Sequence, residues 1–243
     1  MNIYAKTDIG LKRQTNQDSF DFGKIGDNCV WAVVCDGMGG SNAGNVASSK
    51  TVGLLSKSFS DNLSPKISGD NLENFLKNSI ASANAAVFDA ATSSEELTGM
   101  GTTVVAMVVL NNVAYLAHAG DSRAYILSNG ELKQITTDHS IVQTMVDSGQ
   151  ITEEEAKTSP HKNIITRAVG VKNDILVDFN TVDLKSGDKL LICTDGLTNC
   201  VDDEEIAKII SNDVNAKEIT EKLISAANEN GGIDNITATV III

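Results

Sequence analysis

Aspartates recur at the ends of strand-like runs along this chain, most of them beside a glycine. Five of them share this placement: Asp18, Asp36, Asp121, Asp195 and Asp234. Aspartate and glycine are ordinary turn residues, so any one of these positions alone would indicate only a turn. Because several apolar runs stop at an aspartate, we predict that the strand ends meet at one sheet edge and that the carboxylates converge there.

Converging carboxylates need a cation, since like charges at close range repel strongly. Carboxylate oxygens select magnesium, manganese or calcium over zinc, and a neighbouring glycine lets the backbone approach an ion closely. Two such ions about 3.5–4 Å apart can share a bridging water and make it a nucleophile suited to in-line attack on phosphorus. The aspartate pattern therefore predicts a divalent-metal site for phosphate ester hydrolysis.

A phosphate group at such a site needs a positively charged partner outside the metals. Arg13, five residues before Asp18, is the candidate, because a guanidinium can bind two phosphate oxygens at once. The spacing alone leaves an exposed surface arginine as an equal alternative.

The segments that must position these residues alternate in blocks of strands and helices. Apolar runs predict strands at 30–35, 102–110, 113–119, 123–127, 132–135, 175–182, 189–193 and 236–243. The four runs between Thr102 and Ile135 suggest an antiparallel meander. Helical spacing predicts helices at 42–59, 70–91, 202–210 and 216–228. Blocks of this kind favour an α+β fold, with antiparallel sheets and helices packed outside them.

Composition narrows the class of protein. With 243 residues, 42% of them hydrophobic, and no linker-like stretch, we expect one domain covering 1–243. The net charge of −13 argues against a nucleic-acid or anionic-membrane binder. No signal peptide is recognisable, and the longest apolar run, Val104–Leu110, is too short to span a membrane. The four cysteines lack Cys-x-x-Cys spacing, which favours buried thiols and a reducing cytoplasm.

Taken in order, the motifs resemble the type 2C metal-dependent serine/threonine phosphatases (the PPM family), in particular their compact bacterial members. The motifs that carry the resemblance are Thr7–Gly10 with Arg13–Asp18, Cys35–Gly40, Gly101–Thr103, His118–Arg123, Asp138–Ser140, Ile165–Gly170, Thr194–Leu197 and Asp234–Asn235. They span nearly the whole chain. The resemblance implies a four-layer α-β-β-α sandwich, in which two antiparallel sheets are flanked by helices.

The resemblance also implies roles for single residues around two or three Mn²⁺ or Mg²⁺ ions. Asp36 would bridge two ions and the carbonyl of Gly37 would bind one of them, while Asp195 and Asp234 would hold the other ion. Asp121 would contribute to a third, weaker site together with Asp195.

Further residues would assist from outside the direct metal ligands. Asp18 would order the waters around the ions, Arg13 would bind substrate phosphate, and Asn235 would support Asp234. The polar segment from about 140 to 167, with a helix-start signal at Thr152, would be a flap beside the active site.

The chain departs from the family pattern in the loop after Asp36. Many relatives carry a histidine there as a candidate general acid, but Met38 and Ser41 stand at the positions where it can occur. General acid catalysis typically contributes about 10²–10⁴-fold. His161 in the flap is one possible substitute, although an exposed histidine without a catalytic role is the simpler interpretation. His118, in a strand, and His139, as a cap of the following helix, are interpreted as structural.

Three functions remain open on the sequence. The first is an active phosphatase acting on phosphoserine and phosphothreonine in proteins, with a bacterial Ser/Thr kinase and its substrates as the implied partners. The second is a catalytically weak or silent module that binds phosphoproteins, which the lost loop histidine keeps possible. The third, a phosphatase for small phosphometabolites or nucleotides, is disfavoured because no phosphate-cradling glycine loop of the Gly-x-x-x-x-Gly-Lys type occurs.

Overall fold

The structure is a computed structural model that describes residues 1–40, 43–67 and 69–243. In chain order the strands are β1 (Asn2–Asp8), β2 (Asp18–Ile25), β3 (Cys29–Met38), β4 (Gly101–Thr102), β5 (Val104–Leu110), β6 (Val113–Ala119), β7 (Arg123–Ser128), β8 (Glu131–Gln134), β9 (Asp178–Asp183), β10 (Lys189–Cys193) and β11 (Ile236–Ile242). The helices are α1 (Ala43–Asn62), α2 (Asp70–Ser93), α3 (Ile141–Asp147), α4 (Glu153–Thr158), α5 (Asp195–Thr198), α6 (Asp203–Ile210) and α7 (Ala216–Glu229).

Two antiparallel sheets form the centre of the fold. One has the strand order β1-β11-β10-β7-β8, and the other has the order β2-β3-β5-β6-β9 with β4 paired to β3. Apolar side chains from both sheets pack together between them, while α1 and α2 cover the outer face of the second sheet and α6 and α7 that of the first. The predicted α+β fold with four α-β-β-α layers is confirmed.

Burial on both faces explains why the first seven residues of β3, Cys29–Cys35, are all apolar. Val30, Ala32 and Val34 face the other sheet, whereas Trp31 and Cys35 belong to the core beneath α1 and α2. Successive side chains of a strand point to opposite faces, so a strand covered on both faces needs apolar residues at every position.

The predicted meander is wrong at one connection. Strand β6 pairs with β5 and β9, whereas β7 pairs with β8 and β10 in the opposite sheet. The chain therefore crosses between the sheets at Gly120–Ser122. Gly120 has φ 117°, and a Cβ there would lie 2.6 Å from the Thr103 side chain, so only glycine fits this crossing.

Several boundaries also differ from expectation. Asp36 lies inside β3, which continues to Met38, and the run 102–110 is divided into β4 and β5. Strand β9 begins at Asp178, later than expected. The strands Asn2–Asp8 and Asp18–Ile25 were not predicted, because their mostly half-buried residues give no regular alternation. The predicted helix start at Asn42 and the loop position Ser41 lie outside the described residues.

The segment 140–167 is a helical excursion, as its polar sequence suggested. Ser140 caps α3 by accepting a hydrogen bond from the Gln143 amide, so the cap is not His139. Thr152 and Glu155 form a capping box that starts α4, which the sequence pattern predicted. Among the described residues, no helix is long and apolar enough to cross a membrane.

Candidate active site

Strand pairing places the first two aspartates side by side. Asp18 begins β2 and lies opposite Asp36 of β3 in the antiparallel register. The Asp18 carboxylate is 6% exposed, and its Oδ2 accepts hydrogen bonds from Thr194 Oγ1 at 2.8 Å and Thr237 Oγ1 at 2.7 Å. Thr237 lies in β11 of the other sheet and Thr194 directly follows β10, so Asp18 links the two sheets at the edge where the carboxylates gather.

The same edge of the other sheet carries Asp195 and Asp234. Asp195 follows β10, and Asp234 precedes β11, which pairs antiparallel with β10. Because the end of one antiparallel strand meets the start of its partner, the two carboxylates come to one place. Asn199 holds Asp195 through a hydrogen bond from Nδ2 to Oδ2 at 2.9 Å.

Asp121 reaches the group from the crossing between the sheets. It follows Gly120, and its neighbour Ser122 lies 2.7 Å from Thr103 through their hydroxyl oxygens. The Thr103 amide donates to the Asp36 carbonyl at 2.9 Å, and the Thr103 hydroxyl accepts from the Asp36 amide at 2.9 Å. The backbones beside Asp36 and Asp121 are thus connected through one buried threonine.

The closeness of the carboxylates raises their pKa values. Burial raises the pKa of Asp36 well above its ordinary value, and the charges of Asp18, Asp195, Asp121 and Asp234 raise it further. Burial and the Asp234 charge raise the pKa of Asp195, which a hydrogen bond with Asp36 partly offsets. All five aspartates therefore influence one another at a single site.

Asp18 and Asp121, two further members of the group, also have raised pKa values. Burial raises the pKa of Asp18 to about 7, against hydrogen bonds from the two threonines that lower it. Burial and then the Asp195 charge raise the pKa of Asp121 to about 8. Without a cation, burial and the neighbouring charges disfavour the ionised form of these carboxyl groups, and a bound cation would favour it.

The donor set fits hard divalent cations. Asp18 Oδ1 is buried and has no hydrogen-bond partner among the described residues, which leaves one acceptor free towards the site. Clustered carboxylate oxygens are the ligands that Mg²⁺ and Mn²⁺ prefer. The residues present therefore suit ions of this class.

Close backbone packing fixes the loops that carry Asp195 and Asp234. A Cβ at Gly196 would lie 1.9 Å from the carbonyl oxygen of Asn235. Glycine at position 196 is thus required for the two loops to touch, and their contact sets the separation of the two carboxylates.

Arg13 lies at the rim of the cluster. Its Nη2 donates to Asp234 Oδ2 at 2.6 Å, and its side chain is 52% exposed. This hydrogen bond raises the pKa of Arg13, against a smaller effect of burial. The guanidinium is placed where a ligand of the carboxylate site could also reach it.

Asn235 fixes the loop that carries Arg13 more than it fixes Asp234. Its Nδ2 donates to the carbonyls of Ile9 and Thr15, each at 3.0 Å, and its Oδ1 accepts from the Gln17 amide at 2.9 Å. Only its main-chain amide contacts Asp234, at Oδ1.

The candidate general acid, His161, has weaker structural support than the aspartates and Arg13. His161 is exposed in the turn after α4, and only its main-chain amide and carbonyl make hydrogen bonds among the described residues. Met38 ends β3 and packs against Gly101. Ser41 lies outside the described residues. His118 is buried in β6 and its Nε2 contacts the Thr137 carbonyl, consistent with a structural role.

The structure adds site residues that sequence reasoning missed. Thr194 and Thr237 hold Asp18, Thr103 holds Asp36, and Asn199 holds Asp195. Lys162 of the 140–167 segment donates to Asn199 Oδ1 at 3.1 Å and so connects that segment to Asp195. Thr103 and Thr194 lie in the motifs Gly101–Thr103 and Thr194–Leu197, although no role was predicted for them. Asn199 lies four residues after Asp195 in the chain, whereas Thr237 and Lys162 are brought in by tertiary contacts.

Comparison with known proteins decides the family. Residues 11–238 match the sequence profile described as protein phosphatase 2C. The chain belongs to this family. Over 241 residues it is 37% identical to the serine/threonine phosphatase stp of Listeria monocytogenes, covering 99% of this chain and 95% of that protein.

Solved structures of protein phosphatase 2C relatives agree with the fold. The serine/threonine phosphatase Stp1 from Staphylococcus aureus superimposes with a TM-score of 0.93 at 36% identity, covering 100% of this chain and 95% of that one. The catalytic domain of PstP, in complex with two manganese ions, gives a TM-score of 0.84 at 35% identity over 98% and 96% of the two chains. The protein is thus a serine/threonine phosphatase of the bacterial type, and a silent binding module is disfavoured.

Proposed function

We propose that this phosphatase hydrolyses phosphoserine and phosphothreonine in proteins with two or three Mn²⁺ or Mg²⁺ ions bound at the aspartate cluster. The observation that carries the proposal is the convergence of four aspartates on a fifth, Asp36, which lies opposite Asp18 in the strand register. Four carboxylates around a fifth are costly without cations, so the fold is built around their binding.

The proposed ligands follow from position in the cluster. Asp36, at its centre, would bridge two ions with help from the Gly37 carbonyl, and Asp195 and Asp234 would complete the pair. Asp121, at the crossing between the sheets, would serve a third, weaker site with Asp195. When bound, the ions would supply a nucleophilic water and neutralise charge on the phosphate.

The protein groups around them would bind and orient. Arg13, already directed at the cluster by Asp234, would release that carboxylate and bind substrate phosphate through its guanidinium fork. Asp18, held by two threonines with one free oxygen, would orient water beside the ions.

The proton for the leaving serine or threonine oxygen has no dedicated histidine in the loop after Asp36. His161 is exposed on the 140–167 segment, and the residue after it, Lys162, contacts Asn199. We propose this histidine as the weak candidate for the general acid, with solvent as its competitor.

The proposal extends to partners and organisation. We infer one phosphatase domain over residues 1–243, with 140–167 as a flap that contributes to substrate choice. Its partners would be phosphorylated proteins, among them a bacterial Ser/Thr kinase and its substrates. The four free cysteines, Cys29, Cys35, Cys193 and Cys200, suit a cytoplasmic location.

The test is hydrolysis of a phosphothreonine peptide with Mn²⁺, with and without chelator, by the wild type and by Asp36→Asn. We expect chelator-sensitive activity that Asp36→Asn reduces to background. The matched control is Asp21→Asn, which changes an exposed aspartate of the same β2–β3 pair and should retain activity. Folded, metal-loaded wild type without activity on the peptide would contradict the proposal, as would a preference for nucleotides in a parallel panel.

A further inference from the structure

Beneath the loop of Asp121 lies a group of polar residues that the proposed reaction does not use. It consists of His118, His139, Arg167 and Asp178, here called the histidine cluster. The two imidazole rings are buried and stacked, with centroids 4.6 Å apart and planes at 7°. A buried imidazole is costly unless its nitrogens have specific partners. Both ring nitrogens of His139 have such partners, whereas His118 Nδ1 has none among the described residues, so the contacts of His139 indicate what the cluster does.

His139 contacts the residue before Asp121 in two ways. Its main-chain amide donates to the Gly120 carbonyl at 2.9 Å, and its ring Nδ1 accepts from the Gly120 amide at 3.1 Å. Gly120 is the residue whose φ of 117° turns the chain from one sheet to the other. His139 thus holds both peptide groups of the turn that aims Asp121.

The Gly120 contact also defines the protonation of the ring. Because Nδ1 accepts a hydrogen bond, a neutral His139 carries its proton on Nε2. That nitrogen lies 3.1 Å from Asp178 Oδ2 and donates to it. Arg167 donates to the other oxygen, Oδ1, so the carboxylate of Asp178 receives both neighbours and keeps the ring oriented.

Further contacts of His139 and its neighbour Ser140 join the end of the 140–167 segment to the turn at Gly120. The Thr166 amide donates to the His139 carbonyl at 2.7 Å, and the next residue is Arg167. Ser140 and Ile165 form a β-bridge that closes the base of the segment. Both ends of the segment are therefore fastened beside His139.

A metal ion at the histidine cluster is the alternative, since ligand atoms of His118, His139 and Asp178 lie within 4.8 Å of one another. Arg167 Nη1, however, is 3.0 Å from His139 Nε2 and bonded to Asp178. The guanidinium already supplies the positive charge at this place, and the Nε2 proton blocks the ring nitrogen. The contacts favour an orienting device over a metal site.

We propose that His139 is a positioning residue for Asp121, which it aims through Gly120. Its ring is oriented by Asp178, the first residue of β9, and by Arg167, at the end of the 140–167 segment. The inference rests on the proposed role of Asp121 in a third, weaker metal site. Groups that orient a ligand typically change metal affinity by about 10–100-fold when they are removed.

The experiment measures Mn²⁺ binding to the metal-free protein by calorimetry, together with hydrogen exchange of the Gly120 amide. His139→Phe keeps an aromatic ring on His118 but removes the acceptor, whereas His139→Asn places a carbonyl oxygen near the position of Nδ1. We expect His139→Phe to weaken the weakest Mn²⁺ site about tenfold or more and to speed Gly120 exchange, with the tighter sites unchanged. His139→Asn should restore both measurements towards the wild type.

Asp121→Asn separates this inference from the proposed function. If Asp121→Asn removes the weakest site and folded His139→Phe binds Mn²⁺ like the wild type, the positioning role is overturned and the metal role stands. If Asp121→Asn itself binds Mn²⁺ like the wild type, both are overturned. Should His139→Phe fail to fold, Arg167→Met takes its place, with faster Gly120 exchange and a weakened site expected and unchanged values contradicting the inference.

Discussion

Arg13 and Asp234 are joined by a hydrogen bond of 2.6 Å between Nη2 and Oδ2, although 221 residues separate them in the chain. Without bound ions, the guanidinium is the counter-charge of this carboxylate. Because Asp234 is also a proposed metal ligand, metal binding and release of Arg13 are expected to be coupled. Release would leave the fork free to bind phosphate at the moment when the site can use it.

Arg13→Ala is expected to lower kcat/KM for a phosphothreonine peptide about tenfold, mainly through KM. Hydrogen bonds to charged groups contribute about 1.5–3 kcal/mol, and the exposure of this side chain favours the lower end. Steady-state kinetics and inhibition by inorganic phosphate measure the effect. Arg13→Lys, which keeps the charge without the fork, should recover part of it; phosphate inhibition unaltered in Arg13→Ala would exclude phosphate binding by this residue.

The metal-free protein is expected to lose stability as pH rises from 5.5 to 8.5. The folded-state pKa values of Asp18 and Asp121, about 7 and about 8, lie above the ordinary value of an unfolded aspartate, about 3.9. The folded state therefore binds more protons in between, and stability present at low pH is lost as pH passes those values.

Thermal melts in chelator should show a decrease of at least about 5 °C over this range. Saturating Mn²⁺ should raise the melting temperature more at pH 8.5 than at pH 5.5, because metal ligands must be deprotonated. Asp18→Asn removes one of the titrating groups and should flatten the slope in chelator. Equal melting temperatures at both pH values in chelator would contradict the prediction.

His161→Ala is expected to change turnover of an aryl phosphate little, because that leaving group needs no proton. If His161 is the general acid, turnover of a phosphoserine peptide should fall, within the 10²–10⁴-fold range of such catalysis. Parallel kcat measurements on the two substrates decide the question. A large loss of equal size on both would rule out the general-acid role, and no loss on either would leave solvent as the proton source.

Gly196→Ala is expected to reduce activity about 100-fold, because the added Cβ would collide with the Asn235 carbonyl and move the two ligand loops apart. Mn²⁺ affinity should weaken as well, which calorimetry measures. The matched control is Gly53→Ala in α1, where an added Cβ would have no atom within 4 Å. This substitution should stabilise the helix by about 0.5–1 kcal/mol, because alanine is favoured over glycine inside a helix. Wild-type activity in Gly196→Ala would mean that the loop contact does not set the site geometry.

Sequence patterns were sufficient for the α+β class of this fold, whereas its four layers were implied by the family resemblance. Continuous apolar runs such as that of β3 indicated strands covered on both faces, and helical spacing at 70–91 and 216–228 located α2 and α7 closely. The pairing of strands within each sheet could not be predicted from the sequence. The short connection between β6 and β7 also suits a hairpin, whereas in the structure the chain turns at Gly120, with its positive φ, and continues in the other sheet. Local propensity does not determine this pairing, because the apolar run of β7 is compatible with a place in either sheet.

For the site, the sequence by itself determined which carboxylates are present and that each stands at or near a strand end, although Asp36 lies two residues inside β3. The tertiary structure decided which oxygens face one another, that Thr194 and Thr237 hold Asp18, and that Asn235 fastens the loop of Arg13. These contacts join residues far apart in the chain, so no local spacing encodes them. Their physical reason is the stacking of two twisted sheets, which brings the ends of strands from both sheets to one edge.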